Sequence, residues 1–388
     1  MKRRVWIYTL PAIFLLTFIL NCSEDSGTNP TTTTTTLERL ETATEEVMAT
    51  LNLPGVEVAI WIPGEGEYRF AKGTADLENN IPYTTGQPFR IASITKTFVA
   101  TVILQLVDSG LLNLSDNLST YFPSFPNAGK ITILHLLSMR SGIPDYADDE
   151  AFVEETAGNP LREYVPADLM AVAASHADEF IEPDTETRYC NTNYIILGEI
   201  AALVTGTDIG ALITEKIIAP LGLVNTQYPT GSSLVSNVKG YSWDTAQNAF
   251  VDYTDINPSW SGAAGAMIST SDNLRIYVEA LYKGTLLSSA TQTERMKTMG
   301  LQGMQNLVQF GAGIMKLGPY WGHSGGIVGF SSEMWYLPEK DAVVIINVNR
   351  HDIEGVSQSL SLLIEITGIL FPQYLMSSFS KPLPNILN

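Results

Sequence analysis

Ser93 and Lys96 lie three residues apart in the segment IASITKTF (91–98). Residues with this spacing share one face of a helix, so the serine Oγ and the lysine Nζ can meet. The stretch from Thr95 to Val107 is apolar nearly all round, which predicts a buried helix. A lysine at the mouth of such a helix is expected to have a lowered pKa and to act as the base for a serine nucleophile. Alone, the pair is more often an ordinary surface pair on a helix.

The second group of candidate residues is Tyr189-Cys190-Asn191. A phenol near an amine can relay a proton, and an asparagine amide can hold both a lysine and a substrate carbonyl. Cys190 could itself be a thiol nucleophile. A small residue of the core is the better interpretation of Cys190, because Ser93 and Lys96 already supply the nucleophile and its base.

The third group is the segment WGHSGG (321–326). Its glycines would let a substrate backbone approach a strand edge, and the main-chain N–H groups on that edge could stabilise an oxyanion. His323 and Ser324 would supply further hydrogen-bond donors. Taken by itself, the segment is explained equally well as a glycine-rich hairpin whose histidine forms its hydrogen bonds within the protein.

In this order, S-x-x-K, Y-x-N and H-[ST]-G resemble the motifs of the serine beta-lactamase and penicillin-binding protein family. The resemblance is to the branch that holds class C beta-lactamases, soluble DD-carboxypeptidases and related esterases, and it runs from about Leu37 to Gly368. The further segments that carry it are GTAD (73–76), ITILHLLSMRSGIPDY (131–146), APLGL (219–223) and GAAGAMISTSDNL (262–274).

The resemblance implies a role for each catalytic candidate. Ser93 would form an acyl-enzyme, while Lys96 and Tyr189 would share the proton transfers. The backbone N–H groups of Ser93 and Gly326 would form the oxyanion hole.

It also implies the residues that bind the substrate. Asn191 would position the substrate amide, and His323, Ser324 and Gly325 would face the substrate's carboxylate or leaving group. His323 replaces the lysine of the K-T-G form of the motif. Because an imidazolium binds a carboxylate better than a neutral imidazole does, kcat/KM for a carboxylate-ended substrate is expected to fall as His323 loses its proton.

The elements that must position these residues predict an α/β (α+β) fold. Strands at both ends of the chain suggest one antiparallel sheet flanked by helices, with a mostly helical lobe inserted over about residues 97–260. The beta-lactamase-like domain would span residues 37–388. The predicted strands are 56–62, 67–73, 333–339 and 342–349, and predicted helices begin near Leu37 and cover 354–370.

The N-terminus has the pattern of a lipoprotein signal peptide over residues 1–21. A cationic Lys2-Arg3-Arg4 precedes an apolar run from Val5 to Leu20, which is too short to span a bilayer. Cys22 is the predicted lipidation site, and the Thr-rich stretch 22–36 is a predicted tether. The protein is therefore expected to be exported to the cell envelope and anchored to a bacterial membrane. Ordinary secretion and an uncleaved anchor are the alternatives.

Composition excludes several other classes of function. The formal charge of −19 would repel nucleic acid. The four histidines show no metal-ligand spacing, so neither a metal nor a cofactor is expected. After signal cleavage only Cys190 and the modified Cys22 remain, which leaves no intrachain disulfide.

The sequence therefore predicts a serine hydrolase acting through a Ser93 acyl-enzyme. The favoured activity is that of a DD-carboxypeptidase on D-alanyl-D-alanine peptides, with peptidoglycan stems as the expected partner. A carboxylesterase, a beta-lactamase and a D-amino-acid amidase of the same family are the alternatives. A penicillin-binding sensor without turnover is the alternative from another class.

Overall fold

The computed structural model describes residues 34–305, 307–352 and 357–374. Over these residues, nine strands form one antiparallel sheet in the order β3-β2-β1-β13-β12-β11-β10-β9-β8, and β4–β7 and β5–β6 form two small pairs. The strands are β1 Gly55–Ile62, β2 Gly66–Asp76, β3 Ile81–Pro82, β4 Phe89–Arg90, β5 Tyr241–Asp244, β6 Ala249–Asp252, β7 Ile268–Ser269, β8 Met299–Gly300, β9 Val308–Phe310, β10 Met315–Leu317, β11 Tyr320–Ile327, β12 Phe330–Leu337 and β13 Ala342–Val348.

The centre of the sheet is built from both ends of the chain, as predicted. β1 pairs with β13, and β13 pairs with β12. Every residue of these three strands is buried, which is the pattern of strands covered on both faces. The four predicted strands correspond to β1, β2, β12 and β13, with ends that differ by a few residues.

The helices cover the sheet, and most of them lie in the chain between its N-terminal and C-terminal strands. They are α1 Thr36–Leu51, α2 Thr95–Asp108, α3 Ile133–Leu137, α4 Glu150–Gly158, α5 Pro166–Ser175, α6 Thr192–Thr205, α7 Ile209–Ile213, α8 Ala219–Leu221, α9 Gly262–Gly265, α10 Ser271–Lys283, α11 Ser289–Arg295 and α12 Gln358–Leu370. The segment predicted as the helical lobe, about residues 97–260, contains most of α2, all of α3–α8 and also the β5–β6 hairpin.

Two buried carboxylates identify which helices lie on which face. Glu57 and Glu333 both have exposed fractions of 0%. Glu57 accepts from Ser271 at the start of α10, whereas Glu333 accepts from Ser359 in α12. Glu57 is paired in register with Asn347, and Asn347 with Ser332, so these three side chains point to one face of the sheet. Glu333 follows Ser332 in β12 and therefore points to the other face, because side chains alternate along a strand. Hence α10 and α12 cover opposite faces.

The described chain begins at residue 34, and α1 begins at Thr36, one residue before the predicted start. Thr35 caps α1: its Oγ1 accepts from the Glu38 N–H, and its own N–H donates to the Glu38 carboxylate. The predicted signal peptide 1–21, the lipidation site Cys22 and most of the tether lie outside the described residues.

In the described ranges no single helix is long and apolar enough to cross a bilayer. One pair, Thr192–Thr205 with Ile209–Leu221, meets the length and composition criteria jointly, but it is bent by 83°.

Candidate active site

Ser93 lies in a tight turn that leads directly into α2. The turn is a 3-10 helix over Ala92–Ile94, and Ser93 is half-buried. Ala92 has φ of +47°, a left-handed conformation that is costly for a residue with a Cβ and that often marks functional sites. The turn is held by Ile91, whose N–H donates to Met267 O at 3.0 Å.

Lys96 is fully buried in the first turn of α2, with an exposed fraction of 0%. Its Nζ lies 3.0 Å from Ser93 Oγ, 2.7 Å from Asn191 Oδ1 and 2.8 Å from the Ala264 carbonyl oxygen. The predicted contact of the serine and the lysine is therefore present, but Ser93 lies in the 3-10 turn and only Lys96 lies in α2. The Ala264 contact comes from α9, a segment that the sequence matched to the family without giving it a role.

Burial lowers the pKa of the Lys96 ammonium to about 7, while the Asp145 carboxylate acts to raise it. The sequence-based expectation of a lowered lysine pKa is confirmed. A neutral amine has two N–H groups and one lone pair. Asn191 Oδ1 and Ala264 O can only accept hydrogen bonds, so the two N–H groups point at them and the lone pair faces Ser93 Oγ.

Asn191 stands directly before α6 and connects two polar groups. Its Oδ1 accepts from Lys96, while its backbone N–H and its Nδ2 both donate to Asp145 Oδ2 at 2.8 Å. Asp145 is buried and lies in the segment SGIPDY. The sequence interpretation missed Asp145; its only signal was an acid within a stretch that otherwise matched the family.

Tyr189 lies beside the lysine, as the motif order implies. Lys96 Nζ is 4.9 Å from the centre of the Tyr189 ring, and that ring is 6.2 Å from the His323 ring. A share in proton transfer remains a prediction for Tyr189.

His323 is buried within β11, with an exposed fraction of 1%. Its Nδ1 lies within hydrogen-bonding distance of the Ser324 carbonyl oxygen, which can only accept, so Nδ1 carries the proton. Within the described residues the buried Nε2 has no hydrogen-bond partner. Burial, reinforced by Lys96, lowers the pKa of His323 to about 3. The ring is therefore neutral at ordinary pH in the site as described, and Nε2 is an acceptor. That activity on a carboxylate-ended substrate depends on protonation of His323 stays a prediction.

The segment that follows His323 on β11 has a free edge. In the described chain, β10 pairs with β11 only from Tyr320 to Gly322, so residues 323–327 are paired on the β12 side alone. An extended substrate can pair with such an edge. Ser324 is half-buried and Gly326 exposed on this segment. The oxyanion role of the Ser93 and Gly326 N–H groups remains a prediction.

Gly325 allows the strand to approach the nucleophile turn. A Cβ at Gly325 would lie 2.3 Å from the Ile91 carbonyl oxygen and 2.7 Å from Ser332 Oγ, far closer than a real Cβ tolerates. The glycine therefore sets the distance between β11 and the turn that carries Ser93.

Cys190 is buried, and its thiol lies 3.4 Å from the Ile143 carbonyl oxygen. Burial, with a further contribution from Asp145, raises the pKa of this thiol well above its usual value. A protonated, buried thiol is a poor nucleophile, which favours the interpretation of Cys190 as a core residue.

No group of three or more His, Cys, Asp or Glu side chains in the described ranges is arranged to hold a metal ion.

The sequence pattern of the family described as Beta-lactamase matches residues 40–366. The chain belongs to the beta-lactamase family. It is a serine hydrolase of this family, whose fold has an antiparallel sheet flanked by helices.

Relatives of known name include a penicillin-binding protein and a D-aminopeptidase. Penicillin-binding protein 4* of Bacillus subtilis is 25% identical over 75% of this chain and 67% of its own length. A D-aminopeptidase of Brucella anthropi is 29% identical over 56% of this chain, but the match covers only 41% of that protein.

Solved structures of similar proteins match over nearly their full length. A D-stereospecific amidohydrolase from Streptomyces has a TM-score of 0.75 and 29% identity, covering 87% of this chain and 98% of the other. A D-amino acid amidase from Ochrobactrum anthropi, solved with D-phenylalanine, has a TM-score of 0.76 and 25% identity, covering 86% and 99%.

Proposed function

We propose that this enzyme hydrolyses amide bonds of small D-configured amides or peptides through an acyl-enzyme on Ser93. The observation that carries the proposal is the contact of the buried Lys96 with Ser93. The lysine's other two contacts are with Asn191 Oδ1 and Ala264 O, which can only accept hydrogen bonds. This arrangement aims the amine lone pair at the serine hydroxyl. A general base held in this way activates a serine nucleophile.

The proposed reaction has two halves. In acylation, Ser93 Oγ gives its proton to Lys96 Nζ and bonds to the substrate carbonyl carbon. The C–N bond then breaks, and the leaving nitrogen takes the proton from the lysine by way of the Tyr189 hydroxyl. In deacylation, water attacks the ester carbonyl and loses a proton to Lys96, and Ser93 Oγ recovers a proton as the ester bond breaks.

His323 supports an uncharged leaving group. Its neutral ring offers no positive charge to a C-terminal carboxylate, whereas its buried Nε2 can accept an N–H. Among the described residues, neither His323 nor Ser324 is hydrogen-bonded or ion-paired to a lysine or arginine. A simple amide, or a peptide whose carboxylate lies further from the bond, suits this environment. The D-configuration is supported by the relatives that act on D-amino acid derivatives.

A DD-carboxypeptidase is the second candidate. It is the activity that the sequence motifs favour, and the similarity to penicillin-binding protein 4* over 75% of this chain supports it. Its substrates would be D-alanyl-D-alanine peptides such as peptidoglycan stems, which carry the terminal carboxylate that His323 is poorly suited to bind.

A substrate panel distinguishes the candidates. The full chain is assayed with D-phenylalanine amide, L-phenylalanine amide, a peptide ending in D-Ala-D-Ala, a short-chain ester and a chromogenic cephalosporin. We expect hydrolysis of the D-amide over the L-amide, and turnover of the ester. Hydrolysis of the D-Ala-D-Ala peptide with no action on the D-amide would favour the second candidate. Rapid turnover of the cephalosporin would make the protein a beta-lactamase.

Penicillin provides a further distinction. The described site contains no glutamate in contact with Ser93 or Lys96 that could activate a deacylating water. We expect penicillin to acylate Ser93 slowly and to remain bound for minutes or longer, which intact-mass spectrometry would detect. Trapping of every acyl group, small esters included, would instead indicate a sensor without turnover.

We infer separately that the protein is exported and anchored through a lipid on Cys22. The support is the basic, apolar and cysteine pattern of residues 2–22. The native protein should partition into membranes, and Cys22→Ser should release it or stall its processing. Recovery of wild-type protein as a soluble form, without lipid mass on residue 22, would exclude this.

A further inference from the structure

The feature that the reaction above leaves unused is the carboxylate of Asp145. It has an exposed fraction of 4%, and within the described residues it has no lysine or arginine ion-paired to it. Its hydrogen-bond partners are the Asn191 backbone N–H, the Asn191 Nδ2 and the Ala147 N–H. Burying an ionised carboxylate is costly, so its retention at this point calls for a role.

Two of these contacts fix the orientation of the Asn191 amide. Asp145 Oδ2 accepts from both the backbone and the side chain of Asn191, each at 2.8 Å. An ionised carboxylate can only accept, so Nδ2 has to face Asp145 and Oδ1 has to face Lys96. In the reversed amide, Oδ1 would face the carboxylate and Nδ2 would face the lysine, and both contacts would be lost.

The orientation of the amide in turn sets the direction of the lysine lone pair. With Oδ1 and Ala264 O taking the two N–H groups of the neutral amine, the lone pair faces Ser93. We propose that Asp145 is a positioning residue for the acylation step: through Asn191, it aims the lone pair of Lys96 at Ser93 and supports the ammonium that forms when the serine proton is taken. This inference rests on the proposed Ser93 chemistry.

The charge of Asp145 also acts directly on the lysine. The carboxylate raises the pKa of Lys96 against the effect of burial. The titratable groups that surround the lysine are Asp145, Tyr189, Cys190, Tyr194 and His323. Cys190 and His323 are neutral at ordinary pH, since the pKa of the thiol is raised and that of the imidazole is lowered. Asp145 is therefore the charge whose removal should change the behaviour of the lysine.

The test is a double-mutant cycle at pH 8 with wild type, Asp145→Asn, Asn191→Ala and the double variant. The readout is the rate constant for labelling of Ser93 by a fluorophosphonate. Inactive molecules reduce the amount of labelled protein but leave this rate constant unchanged. Asp145→Asn preserves shape, but its amide can donate to Asn191 Oδ1 and so permits the reversed orientation. We expect at least about tenfold slower labelling in the wild-type background, from misaimed proton transfer. In the Asn191→Ala background we expect Asp145→Asn to change the labelling rate constant by less than about twofold.

A neighbouring acid provides the matched control. Asp148 lies in the same turn, but its carboxylate pairs with Arg188 at 3.3 Å. Asp148→Asn should leave the labelling rate at pH 8 unchanged. The proposal is overturned if Asp145→Asn labels as fast as wild type, or if it slows labelling equally with and without Asn191.

A second readout keeps the test decisive if Asn191→Ala does not fold. Loss of the Asp145 charge should lower the pKa of Lys96 further, so the acid limb of the labelling rate in Asp145→Asn should move to lower pH. A slower rate with an unmoved limb would indicate a structural role alone and would contradict the proposal. If wild-type Ser93 is not labelled at all, the proposed function fails instead, and the two failures are thereby distinguished.

Discussion

Lys96 Nζ lies 3.0 Å from Ser93 Oγ at the start of a helix whose interior is buried. The two residues are three apart in sequence, but the nucleophile itself lies in a 3-10 turn and only the base lies in α2. The turn leaves Ser93 half-buried, while the helix holds the lysine fully buried beside it. This division explains how a serine can remain accessible next to a fully buried lysine.

Replacement of the lysine should remove the base. Lys96→Ala should lower kcat/KM by at least about a hundredfold, in line with the loss of general base catalysis. The measurement is initial-rate kinetics on a small ester. Lys72→Ala is the matched control, because Lys72 pairs with Glu41 and Glu45 away from the site; it should retain wild-type activity. Comparable losses in the two variants would contradict the assigned role.

The pH dependence should follow Lys96 and not His323. The lysine accepts a proton only when it is neutral, so kcat/KM for an uncharged substrate should rise with pH through about 7. Because the pKa of His323 is lowered to about 3, His323→Gln should lower the rate without moving this limb. A pH–rate profile of both forms checks this. If the acid limb of the pH–rate profile shifted in His323→Gln, the titrating group would be the histidine and not Lys96.

Filling the space at Gly325 should displace the nucleophile turn. In Gly325→Ala the new Cβ would collide with Ile91 O, two residues before Ser93. Overpacking of this kind costs about 1–3 kcal/mol of stability, and we expect at least about a tenfold loss of kcat/KM. Gly129→Ala, which meets no atom within 4 Å, should be close to wild type. Full activity in Gly325→Ala would show that the spacing of β11 and the turn is not critical.

The buried Glu333 should make stability depend on pH. It accepts from Trp335 Nε1 and Ser359 Oγ, but burial raises its pKa from 4.5 to about 7. The folded state therefore holds this proton more tightly, and its contribution to stability is lost as pH rises from 4.5 to 7. The loss is about 3 kcal/mol.

Glu333→Gln cannot titrate at this position, so its free energy of unfolding should fall less than that of wild type between pH 5 and pH 7.5. Urea unfolding of both proteins at pH 5 and pH 7.5 measures the difference. Equal pH dependence in wild type and variant would contradict the raised pKa.

Local sequence patterns predicted the central strands, the buried helix α2 and the Ser93–Lys96 contact, because each depends on neighbours a few residues apart. The contacts of Lys96 with Asn191 and Ala264 join residues 95 and 168 positions away, so only the fold brings them together. The order of the three motifs indicated Asn191 through resemblance. Nothing local indicated Ala264, which contributes only a backbone carbonyl.

The charge state of His323 was also beyond the sequence. A protonated His323 was expected to favour carboxylate-ended substrates, since its motif position suggests a carboxylate partner. Its burial in β11 and its place beside Lys96 keep the ring neutral instead. The role of Asp145 was hidden for a similar reason, because an acid in a loop gives no sign that it will be buried against Asn191.

The central claim is that the acyl group of the substrate becomes covalently attached to Ser93 Oγ. The most direct measurement is acid-quenched mass spectrometry of the full chain during turnover of a small ester, followed by peptide mapping. We expect an acyl adduct on the peptide that contains Ser93, absent in Ser93→Ala and formed at least about a hundredfold more slowly in Lys96→Ala. An adduct on Cys190, or undiminished turnover by Ser93→Ala, would contradict the account.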